Sequence, residues 1–416
     1  MAMDSLYPMS LLIDLFCFLL IPLACWRWLR GAVPMAVLPI LAGLSVAIAA
    51  DRIGFDKSAL GPSPAGEMIG WVGVLVLAFS AGVETPVTES RTSGLNRRLI
   101  GSALSAIALP FLLGTLIALS GTMGGVLERP QGLSPLLSAA AIGLCLAVSA
   151  LPVLVGIVRE LPLADRPLGN MALRIAALDD AILWIGLALL LFLHNGESNG
   201  PSGEVLSGSW NQLGAIGLLL LLLLFRGRLT RFPPTHVSAP ALIGIAYLSA
   251  GAWATSTLGL HALLGAYFGG MLMPRPLARR LNPERLGKIA LFGLSPLFFA
   301  HRGLSVDGAV MTADTLGIAM LLLILAAIAK LTAVHLVPPA PDLPAAERTR
   351  LGLLLQCKGL MEIVAATILV QAGLITPTVF AILVTLALAS TMLTVPLFRL
   401  ASRSARLPTT FHRNNP

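Results

Sequence analysis

The stretch ALDDAILW, Ala177–Trp184, places two aspartates side by side within an apolar run that extends from about Gly169 to Leu193. A run of this length is typical of a transmembrane helix. A charged carboxylate near the middle of a bilayer costs at least ~3 kcal/mol on insertion scales, so two adjacent ones need a functional reason. Asp179 and Asp180 therefore predict a functional site inside a membrane domain.

The composition of the whole chain also indicates an integral membrane protein. Of the 416 residues, 56% are hydrophobic and 12% are charged, and the mean hydropathy is +0.87. A soluble globule cannot hide that much apolar side chain. The formal charge of +8 comes from basic residues between apolar runs, which excludes a nucleic-acid-binding face. The four cysteines have no metal-ligand spacing, and no cofactor is expected.

Apolar runs of 17 to 25 residues between polar breaks predict an all-α polytopic protein with about thirteen transmembrane helices. The spans are 9–26, 33–50, 66–83, 99–120, 136–158, 169–193, 211–225, 237–256, 258–273, 287–300, 315–337, 350–373 and 376–398.

The basic residues test this number of spans. Alternating the loops puts 22 of the 28 Lys and Arg on one side and 4 on the other, with Lys330 and Lys358 inside spans. By the positive-inside rule the basic side is cytoplasmic. We therefore expect an outer N-terminus, a short cytoplasmic tail over 401–416, and a location in a bacterial inner membrane.

Two spans carry the signals of a possible ion site near the midplane. Asp179 and Asp180 point about 100° apart on one helix, so they meet different surroundings. One span earlier, Ser149 and Pro152 interrupt the helix, and the carbonyls freed by proline, with the Ser149 hydroxyl, suit a hard cation. The alternatives are an acid pair buried for helix packing against lysines, and an ordinary proline kink.

Two later spans carry buried charges of both signs. Lys330 lies deep in the eleventh span and needs a counter-charge, for which the midplane acids are the aspartate pair and Glu362. Lys358 and Glu362 stand one helical turn apart in the twelfth span, where they either serve the site or neutralise each other. Gly359 between them is a place where this helix can unwind.

The two interrupted spans lie seven spans apart, so they run in opposite directions. Spans four to six and eleven to thirteen then form inverted repeats with two crossed discontinuous helices. We expect one transmembrane domain over 1–400, with core spans in 99–193 and 315–398 and the remaining spans as a scaffold for a homodimer.

Two residues nearer the outer side are weaker signals. Asp14 lies about one turn into the first span, and we expect it to reach the membrane interface. For His301, packing or an interface role outweighs proton sensing.

Four segments resemble the monovalent cation:proton antiporter-2 family, which includes sodium or potassium/proton antiporters and plant cation/proton exchangers. The most specific is KGLMEIVAATILVQAGLITPTVFAILVTLALASTMLTVPLF, Lys358–Phe398, which is similar to the last two helices of the family. GLHALLGAYFGGMLMP, FFAHRGLSVD and FSAGVE resemble three further helices; they are Gly259–Pro274, Phe298–Asp307 and Phe79–Glu84.

The resemblance implies roles for the buried charges. It makes Asp180 the essential ion- and proton-binding carboxylate, and Asp179 the position that holds a second Asp in many electrogenic members. Lys330 resembles the buried lysine that pairs with this second acid. Ala365 and Ala366 depart from the bulkier or polar residues of plant-type relatives, so the ion preference stays open.

The resemblance also implies two broken helices. Ser149 with Pro152 matches the first, and Lys358 with Gly359 matches the second, where the family often has Arg-Gly.

The function expected from the sequence is secondary active exchange of H⁺ for Na⁺ or K⁺ by alternating access, with Asp180 and Asp179 as cation ligands. The chain is thus expected to be a transporter in a lipid bilayer and not an enzyme. Three alternatives remain. The same fold could carry a small organic solute, although two midplane acids argue against an anion. The second alternative is an intramembrane aspartyl protease, but its chemistry needs two aspartates on separate helices, whereas Asp179 and Asp180 are adjacent on one helix. The third alternative is a channel.

Overall fold

The computed structural model describes residues 11–12, 14–29, 37–54, 63–84, 97–121, 127–198, 240–257, 262–306 and 311–406. Within these ranges all regular structure is helical. The helices of a first packing set are α1 (π-helical Leu15–Leu20, then Ile21–Leu29), α2 (Val37–Ile53), α3 (Pro64–Glu84), α8 (Pro240–Thr257), α9 (Ala262–Leu272), α10 (Arg275–Leu281), α11 (Pro283–Ile289, continued by π-helical Ala290–Leu294) and α12 (Ser295–Leu304). The other helices are α4 (Arg97–Ser120), α5 (Pro135–Ala147), α6 (Leu151–Glu160), α7 (Arg166–Ser198), α13 (Ala313–Leu336), α14 (Ala345–Leu355), α15 (Leu360–Gln371) and α16 (Pro377–Arg406).

The expected all-helical membrane architecture is confirmed. In the part of the chain that the structure describes, five helices are long and apolar enough to cross a membrane: Pro64–Val83, Arg97–Ser120, Leu163–His194, Ala313–Leu336 and Pro377–Ser402. Twelve of the predicted spans overlap described helices, while the span predicted at 211–225 lies outside the described residues. The number thirteen therefore stays a prediction.

The last helix continues past its predicted end at 398, to Arg406. A polar contact explains the extension. The Arg350 side chain donates to the Ser402 hydroxyl at 3.0 Å, lies 4.9 Å from the centre of the Phe398 ring, and bonds to the Asp165 carboxylate. One guanidinium in the middle of α14 thus contacts the last part of α16 and Asp165, directly before α7. Of the tail predicted at 401–416, residues 407–416 lie outside the described part.

The helices pack in two sets. Helices α1–α3 and α8–α12 contact one another, and so do helices α4–α7 and α13–α16. The two sets meet where the Trp184 ring of α7 stacks on the Tyr267 ring of α9, with 6.0 Å between ring centres. Both side chains are fully buried.

Glycines in the segments FSAGVE and GLHALLGAYFGGMLMP allow α3 and α9 to touch along their backbones. A Cβ at Gly82 would lie 2.0 Å from the carbonyl oxygen of Tyr267, and one at Gly270 would lie 2.1 Å from that of Phe79. Because no side chain fits in that space, small residues are required at this helix contact.

Asp14, which the sequence suggested would reach the membrane interface, is buried within the protein. Its side chain is 1% exposed, and its Oδ2 accepts hydrogen bonds from the Ser63 backbone N–H at 2.9 Å and the Ser63 hydroxyl at 2.5 Å. Nε2 of His301 lies 3.2 Å from Oδ1. Asp14 thus has buried polar partners at the start of α3 and on α12, and these contacts connect both helices to α1. The partners are far from Asp14 in the sequence, so the sequence alone does not reveal them.

Candidate functional site

The first helix interruption lies between α5 and α6. Helix α5 ends at Ala147, residues Val148–Ala150 are extended, and α6 begins at Leu151. Pro152 occupies the first turn of α6, where its missing N–H needs no partner. Ser149 lies in the extended segment and is fully buried. The interruption leaves helix-end carbonyls inside the protein that need donors.

The second interruption lies between α14 and α15. Residues Gln356–Gly359 are non-helical, and Gly359 is extended with φ −172°. A Cβ at Gly359 would lie 2.7 Å from the Val153 Cγ2 atom and 3.0 Å from the Ala150 Cβ atom. Glycine is therefore required here by the close approach of the other interrupted helix.

The two interruptions contact each other directly. The backbone N–H of Ala150 donates to the carbonyl of Cys357 at 2.8 Å. Residues 148–150 and 356–359, which are far apart in the sequence, thus form one buried non-helical region.

Asp179 points into this region and is held by two side chains. Its Oδ2 accepts a hydrogen bond from the Ser149 hydroxyl at 2.6 Å and lies 3.4 Å from the Lys330 ammonium. The ammonium also donates to Ser149 Oγ and, at 3.1 Å, to the Leu355 carbonyl at the end of α14. All three side chains have 0% exposure. The Lys330 ammonium therefore contacts Asp179 inside the protein.

Asp180 differs from its neighbour. Its side chain is also 0% exposed, but no side chain among the described residues donates a hydrogen bond to its carboxylate; its donor is the backbone N–H of Leu151 at the start of α6. A buried carboxylate with so few donors is costly, because little replaces the water it has lost. Of the two aspartates, Asp180 thus lacks the side-chain partners that hold Asp179.

The side chain of Lys358 reaches the C-terminal end of α5. Its ammonium donates to the carbonyls of Cys145 at 2.9 Å and Leu146 at 2.8 Å, and it lies 3.5 Å from the Glu362 carboxylate. Both side chains are buried, and the Lys358 ammonium is the side-chain partner of Glu362 in the described structure. The pair is close enough for mutual neutralisation, but the lysine also serves the backbone of α5.

The two lysines have equivalent electrostatic roles. Lys330 meets the C-terminal end of α14, and Lys358 meets the C-terminal end of α5. Helix C-termini carry partial negative charge, so each ammonium is stabilised there. The sequence did not reveal these partners because they are main-chain carbonyls, which no residue type marks.

A family model matches most of this chain. The family model described as "Sodium/hydrogen exchanger, transmembrane" matches residues 15–400. The chain belongs to the transmembrane sodium/hydrogen exchanger family. The resemblance to cation:proton antiporters is thereby confirmed, and so is the expectation of a transporter family and not an enzyme family.

Curated relatives of this exchanger-family chain bear names of the same kind. It is 30% identical over 375 residues to "Cation/H(+) antiporter 20" of Arabidopsis thaliana, which covers 86% of this chain and 43% of the plant protein. It is 28% identical to "K(+)/H(+) antiporter 1" of Saccharomyces cerevisiae, with 81% and 39% covered. It is 27% identical to "Na(+)/H(+) antiporter NhaS4" of Synechocystis, with 78% and 79% covered. The chain spans less than half the length of the plant and yeast relatives.

The fold of the exchanger-family chain is also found among solved structures. The sodium proton antiporter MjNhaP1 from Methanocaldococcus jannaschii aligns with a TM-score of 0.58 over 96% of both chains, at 15% sequence identity. This likeness concerns the fold, because the sequence identity is low.

Proposed function

We propose that the chain exchanges H⁺ for a monovalent cation, Na⁺ or K⁺, across a membrane, with Asp180 as the carboxylate that binds either ion. The observation that carries the proposal is the contrast between two adjacent buried acids. Asp179 is bonded to the side chains of Ser149 and Lys330, whereas no side chain among the described residues bonds to Asp180. The relatives named as cation/H(+) antiporters support the same function.

The buried charges give a physical reason for competition between the two ions. Three carboxylates, Asp179, Asp180 and Glu362, share the region with two ammonium groups, Lys330 and Lys358. If all five are ionised, the region carries one excess negative charge. Charge in a low-dielectric interior is costly, so one monovalent cation or one proton restores balance. Binding of one ion thereby disfavours the other, which is the basis of exchange.

The remaining predicted residues have supporting roles in this proposal. Ser149 and Asp179 line the cation site beside Asp180. The ammonium of Lys330 compensates Asp179, and that of Lys358 compensates Glu362. The interruptions at Pro152 and Gly359 bring these groups together at the contact between the two non-helical segments.

The proposed architecture follows the two packing sets. The core comprises α4–α7 and α13–α16 as two inverted repeats whose discontinuous helices cross, and the other helices form a scaffold. The packing of each set on itself supports this division. Alternating access then consists of the core moving against the scaffold, and we propose that two scaffolds form a homodimer. We also propose an outer N-terminus, a cytoplasmic C-terminus, and a bacterial inner membrane as the location.

Proton flux in proteoliposomes tests the function. Addition of Na⁺ or K⁺ to vesicles with an inside-acidic gradient should dequench a pH-sensitive dye for the wild type, and Asp180→Asn should abolish the signal. Asp342→Asn, at an exposed acid in the loop before α14, is the matched control and should retain it. Normal exchange by Asp180→Asn would refute the proposal. A wild type that responds to neither cation would instead favour transport of an organic solute.

A further inference from the structure

Two hydroxyl side chains on α16 hold the backbone of the second interruption. The Ser390 hydroxyl donates to the carbonyl of Gln356 and accepts from the backbone N–H of Lys358 at 3.3 Å. The Thr391 hydroxyl lies within hydrogen-bond reach of the Lys358 carbonyl and of the Ala387 carbonyl in its own helix. Buried helix-end groups need such partners in a membrane, where water does not replace them.

These hydroxyls occupy the register that the aspartate pair occupies in the other half of the core. Asp179 and Asp180 are the fourteenth and fifteenth residues of α7, and Ser390 and Thr391 are the fourteenth and fifteenth of α16. Asp179 reaches the first interruption through Ser149, and the hydroxyl pair reaches the second. The two halves thus place an adjacent polar pair at the same point. One pair is acidic, and the other is neutral and bonded to backbone.

The held backbone belongs to residues that carry the charge compensation. Ser390 and Thr391 contact both the N–H and the carbonyl of Lys358, whose ammonium meets the end of α5. Gln356, the other residue they hold, follows directly after Leu355, whose carbonyl accepts from Lys330. A displacement of this segment would therefore move partners of both buried lysines.

We propose that Ser390 and Thr391 are positioning residues of the exchange site. They fix the backbone of the second interruption. The Lys358 ammonium, and the Leu355 carbonyl that accepts from Lys330, then keep their positions relative to the aspartate pair. This inference rests on the proposed function, because the site it positions is the one centred on Asp180.

Two other buried hydroxyls provide matched controls. Thr367 on α15 donates to the carbonyl of Ile363 in its own helix at 2.8 Å, and Ser80 on α3 donates to Leu77 in the same way at 2.8 Å. Removal of either hydroxyl deletes a buried intrahelical bond without touching the interruption. Thr367→Val and Ser80→Ala therefore measure the cost of losing a buried hydroxyl alone.

Cation dependence of exchange is the functional readout. Ser390→Ala and Thr391→Val should each raise the apparent KM for the cation by about five- to tenfold, the factor that corresponds to one hydrogen bond. Thr367→Val and Ser80→Ala should leave the KM within about twofold of the wild type. The conservative variants Ser390→Thr and Thr391→Ser keep a hydroxyl and should recover most of the affinity. Equal KM values for the hydroxyl-deficient variants and the controls would overturn the inference.

Amide hydrogen exchange gives a readout that does not depend on transport. The segment 356–359 should exchange at least about tenfold faster in Ser390→Ala and Thr391→Val than in Thr367→Val, because its backbone loses its partners. Unchanged protection would also overturn the inference. Suppose that Asp180→Asn transports ions normally, while Ser390→Ala and Thr391→Val lose protection at 356–359 as expected. The proposed function then fails, and the role of Ser390 and Thr391 in holding this segment stands. If Asp180→Asn is inactive and Ser390→Ala behaves as the controls do, only the positioning role fails.

Discussion

Removal of the Lys330 ammonium tests the contact at the centre of the site. In Lys330→Met the Asp179 carboxylate keeps only the Ser149 hydroxyl, and the Leu355 carbonyl loses its donor. The attraction across 3.4 Å is about 5 kcal/mol at an effective dielectric constant of 20. Loss of one partner from a buried pair typically costs 3–5 kcal/mol, because an uncompensated charge remains. We therefore expect unfolding free energy to fall by about 3–5 kcal/mol.

A double-mutant cycle separates this interaction from other effects. Asp179→Asn combined with Lys330→Met removes both charges, so the double variant should be at least about 2 kcal/mol more stable than the sum of the single losses implies. The measurement is the free energy of unfolding in detergent micelles, read by tryptophan fluorescence. The pair formed by Lys288 and Glu284 is the control, since its atoms are closer, at 2.8 Å, but its side chains are exposed. Its coupling should be only about 0.3–0.5 kcal/mol.

Transport by Asp179→Asn and Lys330→Ala shows whether the pair takes part in the exchange cycle. If the pair changes its protonation during the cycle, wild-type exchange responds to an imposed membrane potential, and Asp179→Asn and Lys330→Ala lose that response. Additive stability losses in the Lys330 and Asp179 cycle would refute the reasoning about the buried contact. Exchange that ignores the potential in the wild type would assign the pair to structure alone.

Three further predictions concern other parts of the molecule. Competition at Asp180 predicts that a tenfold rise in proton concentration raises the apparent KM for the cation by up to about tenfold at constant maximal rate; a fall in maximal rate alone would contradict it. Gly359→Ala should lower both folded yield and exchange, because its Cβ meets Val153, and adding Val153→Ala should restore part of each; the check is the monodisperse yield in detergent. Asp14→Asn should lower unfolding free energy by about 1–3 kcal/mol through loss of the contact with His301, and leave the cation KM unchanged.

The motif-level features of the site were open to prediction from the sequence. The aspartate pair, the proline and glycine that interrupt helices, and the two deep lysines stand out because each is costly in an apolar run. The partners of these residues were less predictable. Asp14 was expected at the interface and is buried against Ser63 and His301, because residues distant in the sequence supply its polar partners.

The sequence by itself determined the membrane class, the helical architecture and the residues that need an explanation, because hydrophobic length and intramembrane charge are local properties of the chain. Only the tertiary structure decided how the two aspartates differ. Adjacent residues of one helix face different surroundings, so Asp179 meets Lys330 and Ser149, while Asp180 meets no side-chain hydrogen-bond donor within the described residues. Tertiary packing also brought the lysines to helix-end carbonyls and the hydroxyls of α16 to the second interruption. Those contacts join main-chain groups to side chains more than twenty residues away, and local sequence does not encode that distance.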